Sequence, residues 1–170
     1  MSQRNIELKA RAKTVEEAHK AARRLAGQDP SSHEQEDIFF IVPDGRLKLR
    51  YLSPSRGQLI YYNRPDTAGP KTSSFKYAEV DQPAALRDVL KLAYGETGVV
   101  RKKRSLYEVG GSRIHIDQVE GLGDFVEIEV PFENEDSSTA EQLALELLEQ
   151  LGITTTDLVE GAYVDLLDKD

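Results

Sequence analysis

The stretch Ser112-Arg113-Ile114-His115-Ile116-Asp117-Gln118-Val119 runs through Gly121-Leu122-Gly123 into Asp124-Phe125-Val126-Glu127-Ile128-Glu129-Val130. Arg113, His115 and Asp117 alternate with Ile114 and Ile116, and Glu127 and Glu129 alternate with Val126, Ile128 and Val130. Side chains of an extended strand point to opposite faces in turn, so each segment reads as a strand with one polar, largely ionised face and one apolar face. The glycines between them supply a tight turn. The same alternation recurs far away in sequence: Asn5-Glu7-Lys9-Arg11 against Ile6, Leu8 and Ala10; Lys48-Arg50 against Leu47 and Leu49; and Lys102-Arg104. A sheet assembled from these segments gathers dense Lys and Arg beside a separate knot of carboxylates. That is the chemistry of a site for a polyanion and a hard metal ion.

Periodicity and turn residues predict eight strands, over residues 2–12, 37–42, 46–52, 58–63, 73–80, 98–107, 112–119 and 124–132. Thr14-Val15-Glu16-Glu17 predicts a capping-box start for a helix that stops at Gly27, with Val15, Ala18, Ala22 and Leu25 inward. Pro83 opens a second helix, ended by Gly95, with Leu86, Val89, Leu90 and Ala93 as its buried stripe. A third begins near Ser138, with Glu141 closing a capping box, and carries Leu143, Leu147, Leu148 and Leu151. Pro43-Asp44-Gly45 and Gly110-Gly111 mark hairpin turns, and residues 133–138 read as a polar loop. No repeat or linker divides the chain, so residues 1–170 are expected to form a single α+β domain.

Composition narrows the function. A chain of 170 residues, 39% hydrophobic, has enough core to fold alone. Its net charge of −8 argues against a general nucleic-acid or acidic-membrane binder, so any anion site must be local. The absence of Cys removes disulfides, thiolate nucleophiles and Cys-based zinc sites. No apolar run approaches a membrane span, and the N-terminus reads directly into a strand, so a cytoplasmic location without membrane contact is expected.

Eight antiparallel strands form either an open sheet or a closed barrel. An open sheet packs its apolar face on the helices and leaves the charged face in water. A closed barrel turns the charged faces into a lumen wide enough for a ligand. The nearly complete ionisation of the polar face favours the lumen, because like charges crowded there require an anion or a metal as partner.

Asn5-Ile6-Glu7-Leu8-Lys9 resembles the N-terminal Glu-x-Glu-x-Lys signature of the CYTH superfamily, the triphosphate tunnel enzymes that include class IV adenylyl cyclases and thiamine triphosphatases. The resemblance continues in order through Arg46-Leu47-Lys48-Leu49-Arg50, Tyr61-Tyr62-Asn63-Arg64-Pro65-Asp66, Val100-Arg101-Lys102-Lys103-Arg104, Arg113 to Asp117, Gly121 to Glu129, and the tail Gly161-Ala162-Tyr163-Val164-Asp165-Leu166-Leu167. It covers nearly the whole chain.

This resemblance implies an eight-stranded antiparallel β-barrel, the triphosphate tunnel, with flanking helices. It implies Glu7, Asp117, Glu127 and Glu129 as ligands of Mg2+ or Mn2+, and Lys9, Lys48, Arg50, Arg64, Lys102, Arg104 and Arg113 as contacts of a triphosphate, with Lys9 and Arg104 catalytic. The implied substrate is ATP, tripolyphosphate or thiamine triphosphate. One departure stands out: the first Glu of the signature is Asn5, which coordinates only through a neutral carbonyl and weakens the metal shell.

Three functions follow. A metal-dependent cyclase or triphosphatase is the leading one, a non-catalytic nucleotide or polyphosphate-binding module is favoured if Asn5 disables the metal site, and a plain structural sheet is the third. His115 lies in phase with Arg113 and Asp117, as a tunnel-lining donor or a structural neighbour of Asp117. Arg101 and Lys103 point away from Lys102 and Arg104 in a regular strand. His19 and His33 read as surface residues, and Tyr61 and Tyr62 as packing.

Overall fold

Alternating charge and hydrophobicity builds a sheet with two incompatible faces, and the chain resolves the conflict by rolling the charged face inward. The computed structural model describes residues 3–133 and 136–168. Its strands are β1 (Gln3–Arg11), β2 (Ser31–Phe40), β3 (Arg46–Ser53), β4 (Arg56–Asn63), β5 (Lys71–Val80), β6 (Glu96–Val109), β7 (Ser112–Val119) and β8 (Gly123–Pro131). Helices α1 (Val15–Ala26), α2 (Pro83–Tyr94), α3 (Ser138–Gln150) and α4 (Tyr163–Leu167) complete the chain, with a 3-10 turn at Thr155–Asp157. The strands close into a barrel in the order β1-β5-β4-β3-β2-β6-β7-β8, every neighbouring pair antiparallel. Closure removes the free sheet edges and settles the choice between open sheet and barrel.

The apolar face turns outward under the helices. Ile6, Leu8, Ile114, Ile116, Val126 and Ile128 pack with α1 and α3 into the largest core cluster. Ile38, Phe40 and Leu49 pack with Leu90 of α2. Inside one end of the barrel, Phe39, Val100 and Phe125 meet Tyr163 and Val164 of α4, so this short helix plugs the lumen. The two-residue turn Gly110-Gly111 joins β6 to β7, and Gly110 takes φ 60°, a left-handed conformation that residues with a Cβ resist.

Several expectations are corrected. β2 starts at Ser31, six residues before the predicted Asp37. In α2, Val89 is 60% exposed and Ala93 is also exposed, leaving Leu90 and Pro83 as its buried residues. In α3 the inward positions are Ala140, Ala144, Leu147 and Leu148, and Leu143 lies partly in water. Thr14 is the N-cap of α1 but its side chain makes no capping bond. The N-cap of α3 is Ser137, whose hydroxyl donates to Glu141 at 2.6 Å. The helix α4 was not predicted. Ser2, the expected start of the first strand, and Asn134 and Glu135 of the expected polar loop lie outside the described residues. Among the described residues no helix is long and apolar enough to cross a membrane.

Candidate functional site

The register of β1 between its neighbours sets the site. Glu7 faces Glu129 and Lys9 faces Glu127 across the β1–β8 pair, while Arg113 and His115 of β7 stand opposite Glu129 and Glu127. One ligand oxygen from each of Glu7, Glu127 and Glu129 lies within 4.8 Å of the others. Facing them are Lys48 and Arg50 of β3, Lys102 and Arg104 of β6, and Arg64 from the segment after β4. These residues and Asn5 line one cavity of about 360 Å³. Arg101 and Lys103 are exposed on the outer face, as alternation requires.

Asp117 is placed differently. It is wholly buried, held by Arg104 and by the Tyr163 hydroxyl, which donates at 2.8 Å, and it is outside the carboxylate trio and the cavity lining. The structure therefore brings together Glu7, Glu127 and Glu129 of the four expected metal ligands, and all seven expected phosphate contacts.

Six of these seven cations, all but Lys9, have an acid to hold them in line. Asp37, 1% exposed, takes a bidentate fork from Arg50 at 2.8 and 2.9 Å, with Lys48 at 3.4 Å and Lys102 at 3.8 Å. Arg104 also reaches Glu127 at 3.0 Å, Arg64 pairs with Glu7, and Arg113 pairs with Glu129 at 2.8 Å. Such forks fix guanidinium planes before a ligand arrives. Sequence reasoning missed Asp37, although it occupies the lumen-facing phase of β2 directly opposite Arg50. It also missed the plug's part in the site. The Gly161 carbonyl accepts from Lys9 Nζ at 3.1 Å and Arg64 Nη2 at 3.4 Å, and the Tyr163 ring lies 4.1 Å from Lys9 Nζ.

Burial shapes the charges. It pulls the Lys9 and Lys102 amines down to about 7 and Lys48 to about 8. Burial also pushes the Glu7 carboxyl up against the pull of Arg64, and Glu127 and Glu129 add to the push. Glu127 behaves oppositely: burial would raise it, but Arg104, Lys9 and Lys102 hold it well below the usual carboxylate range. Three converging carboxylates suit a hard divalent cation, whose charge would relieve their mutual repulsion. The donor set fits such an ion.

The adenylate cyclase CyaB of Aeromonas hydrophila is 24% identical to this chain over 145 residues, covering 81% of this chain and 74% of its own. The PH1012 protein of Pyrococcus horikoshii OT3 superposes with a TM-score of 0.83 at 24% identity, over 96% of this chain and 99% of that one. Hippeastrum HpAC1 superposes with a TM-score of 0.69 at 17% identity, over 98% and 95%. The CYTH domain matches residues 3–163. A match that starts in β1 and runs to the first residue of α4 takes in every strand of the barrel, and the chain belongs to the CYTH domain family.

Proposed function

We propose that this protein is a metal-dependent enzyme acting on an organic triphosphate, either by hydrolysis or by internal cyclisation of a nucleoside triphosphate. The observation that carries this reading is one cavity in which three convergent carboxylates face Lys9, Lys48, Arg50, Arg64, Lys102 and Arg104. Phosphoryl and nucleotidyl transfer need mainly positioning and charge stabilisation, so no Ser or Cys nucleophile is required.

Glu7, Glu127 and Glu129 would hold Mg2+ or Mn2+, which when bound supplies positive charge to the phosphate oxygens. Arg50 and Arg104, kept in plane by Asp37 and Asp117, grip the phosphate chain. Lys9, seated on the Gly161 carbonyl opposite Glu127 in the register, brings its ammonium to the phosphate chain beside the carboxylates. Between Lys71 and Glu79 the lumen-facing phase of β5 is uncharged, with Ser73, Phe75 and the 47%-exposed Tyr77 beside Ile60 and Gln58 of β4. This strip supports an aromatic substituent on the triphosphate.

Two reactions use the same cradle. In cyclisation a ribose 3′-hydroxyl attacks the α-phosphorus and pyrophosphate leaves; in hydrolysis water attacks the terminal phosphorus, the bond to the bridging oxygen breaks, and the diphosphate leaves while the attacked phosphorus is released as orthophosphate. Aeromonas CyaB carries the name of the first activity, and HpAC1 is described as having a dominant triphosphatase activity. The test incubates the protein with Mg2+ or Mn2+ and ATP, tripolyphosphate or thiamine triphosphate, then separates cyclic AMP, pyrophosphate and orthophosphate. The double variant Glu127→Gln/Glu129→Gln should lose metal-dependent turnover. Binding of triphosphate with no product from any substrate would instead make the protein a binding module.

A further inference from the structure

Helix α2 carries apolar side chains on both of its sides. Pro83 and Leu90 are buried against the barrel, with Leu86 half-buried beside them. The outward arc holds Ala84, Ala85, Val89, Leu92 and Ala93, all exposed, and Leu92 at its centre is 90% exposed. Tyr94 and Ile41, also exposed, stand at the C-terminal end of the helix, where the Ile41 N–H donates to the Gly95 carbonyl at 3.0 Å. A helix on a protein surface ordinarily shows water a polar face, so one that is apolar on both sides calls for a second neighbour.

Arg87 is folded back onto Glu96 at 2.7 Å, which leaves Asp88 and Lys91, of opposite sign, as the exposed charges of α2. At a net charge of −8 two copies of the chain repel over most of their surface, whereas this strip is neutral and apolar. It is also complementary to itself in one orientation. About a twofold axis crossing α2 midway between Val89 and Leu90, antiparallel copies set Asp88 of each beside Lys91 of the other, because the two residues are equally far from the axis on opposite sides. With a rise of about 1.5 Å per residue, the same operation separates the two Leu92 side chains by about 7.5 Å along the helix and sets each near the small Ala85 of the second copy. A parallel arrangement would instead bring Asp88 against Asp88.

We propose that the outward face of α2 is the interface of a twofold homodimer, with Leu92 as its apolar anchor and Asp88 and Lys91 as its reciprocal ion pair. An isologous contact uses the same patch on both subunits and closes without leaving a free binding face. One helix and its flanks bury less than a standard interface, so the dimer exchanges with monomer in a concentration-dependent way. None of Ala85, Asp88, Val89, Lys91 and Leu92 lines the barrel cavity, so pairing and triphosphate binding are separable.

The experiment is sedimentation velocity on the full chain from micromolar to millimolar concentration. Wild type should reach the mass of a dimer at the upper end. Leu92→Glu should stay monomeric throughout, because it brings two added carboxylates into the contact. Leu92 is exposed, so this variant should keep the wild-type circular dichroism and tripolyphosphate binding. Asp88→Lys and Lys91→Asp should each weaken dimerisation about 10-fold or more, since either change sets like charges together twice across the axis. The double variant Asp88→Lys/Lys91→Asp should restore it, because the pair is then remade with its signs exchanged. A wild type that stays monomeric would leave the face to a different partner and overturn the proposal. A dimer that survives Leu92→Glu, or a double variant no better than the single ones, would overturn it as well.

Discussion

Arg104 holds Asp117 through two parallel hydrogen bonds, Nε to Oδ1 at 2.8 Å and Nη2 to Oδ2 at 2.7 Å, and the same Nη2 reaches Glu127 Oε2 at 3.0 Å. One guanidinium thus ties a carboxylate behind the cavity wall to one in the carboxylate trio. Asp117→Asn should destabilise the fold by about 1.5–3 kcal/mol, because Arg104 loses one charged partner and keeps Glu127. Mn2+ affinity should stay close to that of wild type. Urea unfolding and Mn2+ titration check both halves, and a loss of affinity as large as that of Glu127→Gln would return Asp117 to the ligand set.

Strand phase gives a second prediction. Alanine at Arg50 or Arg104 should weaken tripolyphosphate binding about 10–100-fold, the worth of a charge-assisted hydrogen bond. Alanine at Arg101 or Lys103 should leave it nearly unchanged, since both side chains are exposed outside the barrel and Arg101 is paired with Glu36. Isothermal titration separates the two classes. Equal losses at all four positions would mean a diffuse basic surface.

The buried amines give stability and binding opposite responses to pH. Lys9 and Lys102 titrate at about 7 and Lys48 at about 8 in the folded protein because burial disfavours their charge. Unfolded lysines titrate near 10.4, so from about pH 7 to about pH 10 the unfolded chain binds more protons and metal-free stability rises with pH. Triphosphate affinity should fall over the lower part of that window, as the same amines lose the charge that attracts phosphate. Urea midpoints and tripolyphosphate titrations at about pH 6.5 and about pH 8.5 read both trends. A midpoint that rises while affinity stays flat would place the amines out of contact with the ligand.

Restoring the missing carboxylate is a direct test of the departure at position 5. Asn5→Glu should tighten Mn2+ and Mg2+ binding, by roughly tenfold if charge count governs the affinity. It should also lower metal-free stability, because a fourth carboxylate joins a cluster in which Glu7 already has raised proton affinity. Metal titration with and without a nonhydrolysable triphosphate measures the first effect, and thermal unfolding the second. Unchanged metal affinity in both titrations would remove position 5 from the shell.

Tyr77 tests the organic end of the substrate. Tyr77→Ser should weaken ATP binding by about 5-fold or more, the worth of one stacked base, and leave tripolyphosphate binding unchanged. Equal effects on both ligands would mean that the aromatic strip reads no base.

The strands that carry the site were legible because both of their faces carry information: Glu127 and Glu129 alternate with Val126 and Ile128, which pack under α1 and α3. The first half of β2 was not. Ser31 to Glu34 are exposed, so no apolar partner positions mark the strand, and Asp37 was hidden as the start of an apolar run. The plug was illegible for another reason. Five residues are too few to show a helical period, and Tyr163 is buried only because the barrel presents an open end that its ring fills. The resemblance supplied the residue set, but the ion pairs that arrange it follow from register. Lys48, Arg50 and Lys102 converge on Asp37 only after β2 has been placed between β3 and β6.

β1 precedes the other strands and is hydrogen-bonded to β5 and β8, while its Lys9 amine bonds to a carbonyl 152 residues further on. On a ribosome, β1 can pair with β5 midway through the barrel, but its other edge stays unpaired until β8 has emerged, and that second pairing carries the loop-closure cost of long-range contacts. Its alternating Glu7, Lys9 and Arg11 charges discourage adhesion to other strands during that wait. The carboxylate trio requires β8, and the floor beneath Lys9 requires Gly161. The complete site should consequently form in one step, when β8 and the plug close the barrel.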